Sequence, residues 1–120
     1  MLEFSTTEVS EKSGATLRML QNWAEKKIVR PARKGHSRVW SAKDVREARI
    51  VALLRARGLS TQRVRRVMVP IRAELQSGIC YVATDGRTAL VTHDAALIVR
   101  MMASHKGFFV LIEVPALGVI

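Results

Sequence analysis

The sequence predicts an α+β chain, with an N-terminal winged helix-turn-helix over residues 1–72 followed by a small ββαβ module over residues 73–120. Two changes of pattern carry this reading. Apolar residues recur at i, i+3, i+4 spacing as far as Met68, interrupted by one basic loop between short extended runs, and beyond Gly78 the spacing shortens to that of strands. The charge changes in the same region. Through Arg72 there are seventeen Lys or Arg against six Asp or Glu, a balance of +11; from Ala73 onward there are three against four, a balance of −1.

Ser5-Thr6-Thr7-Glu8 has capping-box spacing, in which the hydroxyl and the carboxylate reciprocally satisfy free backbone donors, so a short helix is expected from Thr6 to Lys12. Ser13-Gly14 ends it. Thr16 then caps a second helix, Leu17 to Lys26, with Leu20, Trp23 and Ala24 facing inward. Two helices this close, joined through a glycine, form a helix-turn-helix. Ile28, Val29 and Pro31 close that unit. In Arg33-Lys34-Gly35-His36-Ser37-Arg38 three cations surround a glycine ahead of Val39-Trp40, the pattern of a β-wing.

Ser41-Ala42-Lys43-Asp44 opens a third helix by the same capping logic, with an apolar stripe of Val45, Ala48, Val51, Ala52 and Leu54 that runs to Gly58. Ser60 caps a fourth helix through Val64, Val67 and Met68. Pro70 has no backbone donor, which predicts a separate short helix from that point and places the domain boundary there.

In the second part, Ile79–Thr84 and Thr88–Val91 are β-rich runs joined through Asp85-Gly86, a short-hairpin signal. Asp94 to Ser104 carries Ala95, Leu97, Ile98, Met101 and Met102 at helical spacing. Lys106-Gly107 ends that helix, and Phe108–Ile112 is a fully apolar strand. This hairpin-plus-helix unit is small for independent stability.

At 120 residues and 48% hydrophobic content the chain has ample material for a packed core. No apolar stretch approaches the ~20 residues needed to span a bilayer, so no membrane partner is expected. The start of the chain has neither a basic segment nor an apolar h-region, which predicts a cytoplasmic location. The single cysteine, Cys80, makes no internal disulfide and falls far short of a zinc set, so neither metal nor cofactor is expected. Cys80, His93 and His105 are the candidates for chemistry in the second part, but a thiol within an apolar strand is usually inert. No phosphate-binding glycine loop, carboxylate pair or catalytic triad is present, and the chain is not expected to be an enzyme.

A basic part joined to a neutral, apolar part suggests one surface that meets a polyanion and another that meets protein. On the second helix Arg18, Gln21 and Asn22 lie opposite Leu20 and Ala24. In a major groove Arg reads guanine and Gln or Asn reads adenine, whereas from pattern alone an ordinary solvated face looks the same. The turn before this helix and the wing after it favour DNA. Thr16, Arg18, Met19, Gln21, Asn22 and Trp23 are the candidate contacts from the helix. Arg33, Lys34, His36 and Arg38 are those from the wing, where cations neutralise phosphates. Trp23 and Trp40 also suit the core, as large aromatics do in small domains. Arg63, Arg65 and Arg66 form a further basic cluster.

Read as one string, residues 4–68 resemble the DNA-binding domain of the mercury-resistance-regulator (MerR) family. The matching segments are Ser13-Gly14-Ala15-Thr16, Arg18-Met19-Leu20-Gln21-Asn22-Trp23, Ile28-Val29-Arg30-Pro31, Arg38-Val39-Trp40-Ser41, Asp44-Val45 and Gly58-Leu59-Ser60, in order and without gaps. The resemblance implies a winged helix-turn-helix that binds double-stranded DNA. The chain departs from the family's pattern at Lys27, where a glycine is usual, and at Asn22 and Trp40, where tyrosine is common. It departs most after Pro70, where a long antiparallel dimerisation helix is typical.

The leading expectation is therefore a sequence-specific transcriptional regulator acting as a homodimer through residues 73–120, with Val82, Leu90, Phe108, Val110 and Ile112 as dimerisation residues. One helix of this size reads only a few base pairs, so two copies on a two-fold site are the usual solution. The alternative is a DNA-binding antitoxin or recombination accessory factor whose C-terminal half holds a different protein.

Overall fold

A computed structural model of the chain describes residues 3–75, 80–104 and, for the backbone, 110–114. The chain divides into two compact units, residues 1–52 and 53–119. The first opens with strand β1 (Glu3–Phe4), then helices α1 (Thr6–Ser13) and α2 (Leu17–Glu25), strands β2 (Ala32–Lys34) and β3 (Ser37–Ser41), and the start of α3 (Ala42–Ala56). The second holds the rest of α3, then α4 (Thr61–Glu74), β4 (Cys80–Thr84), β5 (Ala89–Thr92), α5 (Ala95–Ser104) and β6 (Val110–Val114).

The predicted caps form. The Ser5 hydroxyl accepts from the Glu8 N–H (3.2 Å) and the Glu8 carboxylate accepts from the Ser5 N–H (3.0 Å), closing the capping box of α1. Ser41 and Asp44 make the same exchange at the start of α3, at 2.8 and 3.1 Å. Thr16 and Ser60 each accept from the backbone three residues on. At the end of α1, Gly14 adopts φ 80 and its N–H reaches the Ser10 carbonyl. The Ser10 hydroxyl donates to the Ala15 carbonyl and the Ser13 hydroxyl accepts from the Ala15 N–H. Every member of the Ser-Gly-Ala-Thr string thus has a backbone task in the turn.

In the first unit the antiparallel sheet has the order β1-β3-β2, with Phe4 opposite Trp40 and Arg33 opposite Arg38. The sequence reading contained no β1. Two residues are too short for a periodic signal, and they become a strand only because β3 offers them a partner. Val9, Leu20, Trp23, Ile28, Val29 and Trp40 are buried in this unit. The Trp40 indole N–H donates to the Thr6 hydroxyl (3.0 Å), so this nitrogen is engaged inside the fold.

Helix α3 is buried on more than the single predicted stripe: Val45, Arg46, Glu47, Ala48, Ile50, Val51 and Leu54 are all buried. A fuller correction concerns Pro70. Helix α4 runs unbroken from Thr61 to Glu74 with Pro70 inside it, so no separate short helix begins there. The proline removes the bond to the Arg66 carbonyl and its ring crowds that oxygen, and Arg66 is exposed. Val67, Met68 and Ile71 are fully buried on one face. At about 1.5–3 kcal/mol for each such side chain, their burial offsets the ~3 kcal/mol that an interior proline costs.

In the second unit the antiparallel sheet has the order β5-β4-β6, with α4 against β5 and α5 against β4 and β5. The hairpin loop is longer than an Asp-Gly pair, because residues 85–88 all lie outside the strands. Its conformation comes from side chains. The Asp85 carboxylate accepts from the N–H groups of Arg87 and Thr88, both at 2.8 Å. The buried Thr84 hydroxyl donates to the Thr88 carbonyl and accepts from the Gly86 N–H. Donation by Thr88, then Arg87, holds the Asp85 carboxyl below its ordinary pKa.

Glu8 behaves similarly: the Ser5 backbone N–H, followed by the Ser5 hydroxyl, lowers its pKa below 4.5. A depressed folded-state pKa adds stability above the unfolded value, and that increment disappears as pH falls through the folded value. Glu8→Ala is therefore expected to be less stable than wild type at pH 7 by urea denaturation, with the gap narrowing steadily once the pH drops below the ordinary carboxylate value. A gap independent of pH would rule out the carboxylate as its source.

Candidate nucleic-acid interface

The capped start of α2 sets the orientation of its side chains. Leu20 and Trp23 go into the core, and Trp23 keeps only 3% of its surface accessible. Arg18, Met19, Gln21 and Asn22 stay on the opposite side and form an open shelf with Thr16 and Glu25. The Gln21 amide lies 3.4 Å from the Glu25 carboxylate, one turn further along. Gln21 also lines a second groove, shared with Leu17, Thr7, His36, Ser37 and Arg38, where the start of α1, helix α2 and the wing meet. The fold thus brings Gln21 and Arg38, seventeen positions apart in sequence, to one concave surface.

The wing cations differ in their surroundings. Arg33 and Arg38 are directly opposite each other across β2 and β3, and Lys34 is opposite Ser37. Lys34 Nζ lies 3.2 Å from the Glu3 carboxylate, an exposed pair worth no more than about 1 kcal/mol. His36 is exposed at the wing tip.

Past α2, the chain reverses through Lys27, the one non-glycine residue with positive φ (59) among the described residues. The Ile28 N–H bonds the Trp23 carbonyl (2.9 Å) and the Lys27 N–H bonds the Ala24 carbonyl (3.2 Å). This is the Schellman ending of a helix, whose left-handed position normally takes glycine. A glycine-specific geometry is therefore kept with a lysine in place. Lys27 and Arg30 line a cleft with Arg33 and Arg38 beside the wing. Sequence reasoning did not bring Lys27 and Arg30 to this cleft, although the lysine standing at the family's glycine position was the available signal. It also missed Leu17, which is 51% exposed, and Thr7; nothing in their local pattern distinguishes them from solvated residues.

Residues 4–69 match the model of the MerR HTH family of regulatory proteins. The chain belongs to the MerR family. No curated protein matches it. Membership points to a DNA-binding transcriptional regulator, and MerR-family regulators are generally not enzymes. No helix among the described residues of this MerR-family chain is long and apolar enough to cross a membrane. None of its described His, Cys, Asp and Glu residues group in threes or more as a metal site would require. Cys80 is buried, with Sγ 4.0 Å from His93 Nδ1, while His105 lies outside the described residues.

Of the residues expected at the dimer surface, Val82 is fully buried within its own chain and Leu90 is half-buried. Val110 and Ile112 pair in register with Thr84 and Val82, and Phe108 lies outside the described residues.

The left-handed lysine predicts a stability effect. A non-glycine residue in this conformation costs about 1–2 kcal/mol, partly offset by the larger unfolded-state freedom of glycine. Lys27→Gly is expected to stabilise the fold by about 1 kcal/mol, seen as a rise in Tm. An unchanged or lower Tm would contradict the assigned turn.

Proposed function

We propose that this MerR-family protein is a sequence-specific transcriptional regulator that binds double-stranded DNA as a homodimer. Residues 1–72 supply the DNA contacts and residues 73–120 the self-association. One observation carries the reading: Gln21, from the exposed polar face of α2, and Arg38 of the wing line the same groove. At 1.5 Å per residue, α2 is about 13 Å long, a size suited to a major groove ~12 Å wide. In this proposal Arg18, Gln21 and Asn22 read base edges and Met19 meets a thymine methyl. Thr16 holds the start of the helix against the backbone, and Arg33, Lys34, His36 and Arg38 lie along phosphates. Trp23 acts chiefly from the core, orienting the reading face.

For the dimer, the supporting observations are the position of β6 at the edge of its sheet among the described residues, and the apolar exposure of Val99 on α5. A strand edge offers free backbone donors and acceptors to a second copy. Val110, Ile112, Leu90 and Phe108 are the proposed contacts, together with Val82 of the central strand β4.

Arg18→Ala or Gln21→Ala is expected to cost about 1–3 kcal/mol on a preferred site selected from random duplexes, and to relax the sequence preference. Arg38→Ala should instead weaken binding to most sequences by a similar factor. Unaltered specificity in folded Arg18 and Gln21 variants would move the reading face elsewhere.

Sedimentation of the wild-type protein at micromolar concentration is expected to give the mass of a dimer. Val110→Glu should give a monomer that keeps its helical circular dichroism and loses the second half-site. A wild-type monomer both free and on DNA would rule out self-association as the mechanism.

A further inference from the structure

We propose that the cleft between the end of α2 and the wing seats one phosphodiester of the DNA backbone, with Lys27 as a direct contact to it. The inference rests on the DNA-binding reading above and adds a site to it. Two local conflicts meet in this cleft. Lys27 holds a left-handed backbone conformation, φ 59, at a position glycine would occupy without strain. Arg33 and Arg38 stand directly opposite each other across the wing, where like charges repel.

Among the described residues, no carboxylate lines this cleft. The cations Lys27, Arg30, Arg33 and Arg38 line the cleft around Val29 and Pro31. Arg30 is drawn to the same lip, its Nε 3.5 Å from the Lys27 carbonyl. The remaining wing cation, Lys34, already faces Glu3, so the unbalanced charge is concentrated on the cleft side.

A bound anion resolves the charge conflict. A phosphodiester oxygen among the four cations turns their mutual repulsion into attraction, and the two wing guanidiniums present forked donors suited to it. A strained backbone conformation persists where the surrounding packing over-determines it, and such conformations cluster at ligand sites. Here the strained residue is the one that carries a fourth cation to the cleft. The site recognises charge and backbone geometry and no base, so it sets the position of α2 without reading sequence.

The test compares the full-length wild type with Lys27→Gly and Lys27→Asn on a random-sequence duplex across a salt series. Glycine and asparagine both tolerate the left-handed turn, and both remove the charge. At ~0.1 M salt, losing one phosphate contact is expected to weaken binding about eightfold and to lower the slope of log affinity against log salt by about 0.9. For Lys27→Gly this loss should accompany a raised Tm, which separates a lost contact from a damaged fold. If both folded variants bind as wild type with an unchanged slope, the proposal is overturned. A rise in wild-type Tm with inorganic phosphate that matches the rise with duplex DNA would assign the cleft to a free anion and overturn the backbone assignment. Wild-type protein that leaves duplex DNA unshifted at low salt would instead overturn the regulator reading, and this inference with it.

Discussion

The reversal after α2 hangs on one backbone conformation, the left-handed Lys27. The Trp23 carbonyl accepts from both Ile28 and Val29, at 2.9 and 3.4 Å, and the two apolar residues that follow the turn are buried. The chain therefore leaves the helix end pointing back along its own unit, and the wing begins at Ala32 beside α2. Without that turn, Arg33 and Arg38 would have no fixed relation to Gln21. Burial of Trp23, Ile28 and Val29 supplies several kcal/mol, enough to hold a residue in a conformation costing about 1–2 kcal/mol.

A second anchor sets the other side of the wing. Trp40 is fully buried, lies opposite Phe4 in the sheet and donates its indole N–H to Thr6. Removing an aromatic side chain of this kind costs about 3–5 kcal/mol, whereas the exposed Lys34–Glu3 pair contributes at most about 1 kcal/mol. The wing is therefore held mainly by the packing of Trp40, and its charges are displayed on a frame they do little to build. This division suits a surface meant for another molecule, since its cations are not spent on holding the fold.

Much of the fold was legible from local chemistry. Ser5 with Glu8, Thr16, Ser41 with Asp44, and Ser60 mark four helix starts, because a capping hydroxyl answers to donors only two or three residues away. The Ser-Gly-Ala-Thr turn and the basic loop between extended runs were equally local. Pro70 misled for the opposite reason: its missing donor is visible in sequence, but the burial of Val67, Met68 and Ile71 that carries α4 through it is not. β1 and the four-residue loop after β4 were hidden in the same way, the first needing a partner strand and the second the combined side-chain bonds of Thr84 and Asp85.

For the candidate interface, the sequence by itself determined the family, the exposed polar face of α2 and the presence of basic residues in the wing, all of which follow from short spacings and residue type. The tertiary structure alone decided which of those groups share a surface. It joined Gln21 to Arg38, set Lys34 against Glu3, put Arg33 opposite Arg38, and brought Lys27 and Arg30 to the same cleft. Side-chain proximity between distant positions depends on strand register and on the angle at which a helix ends. Both are set by long-range packing that no local pattern encodes.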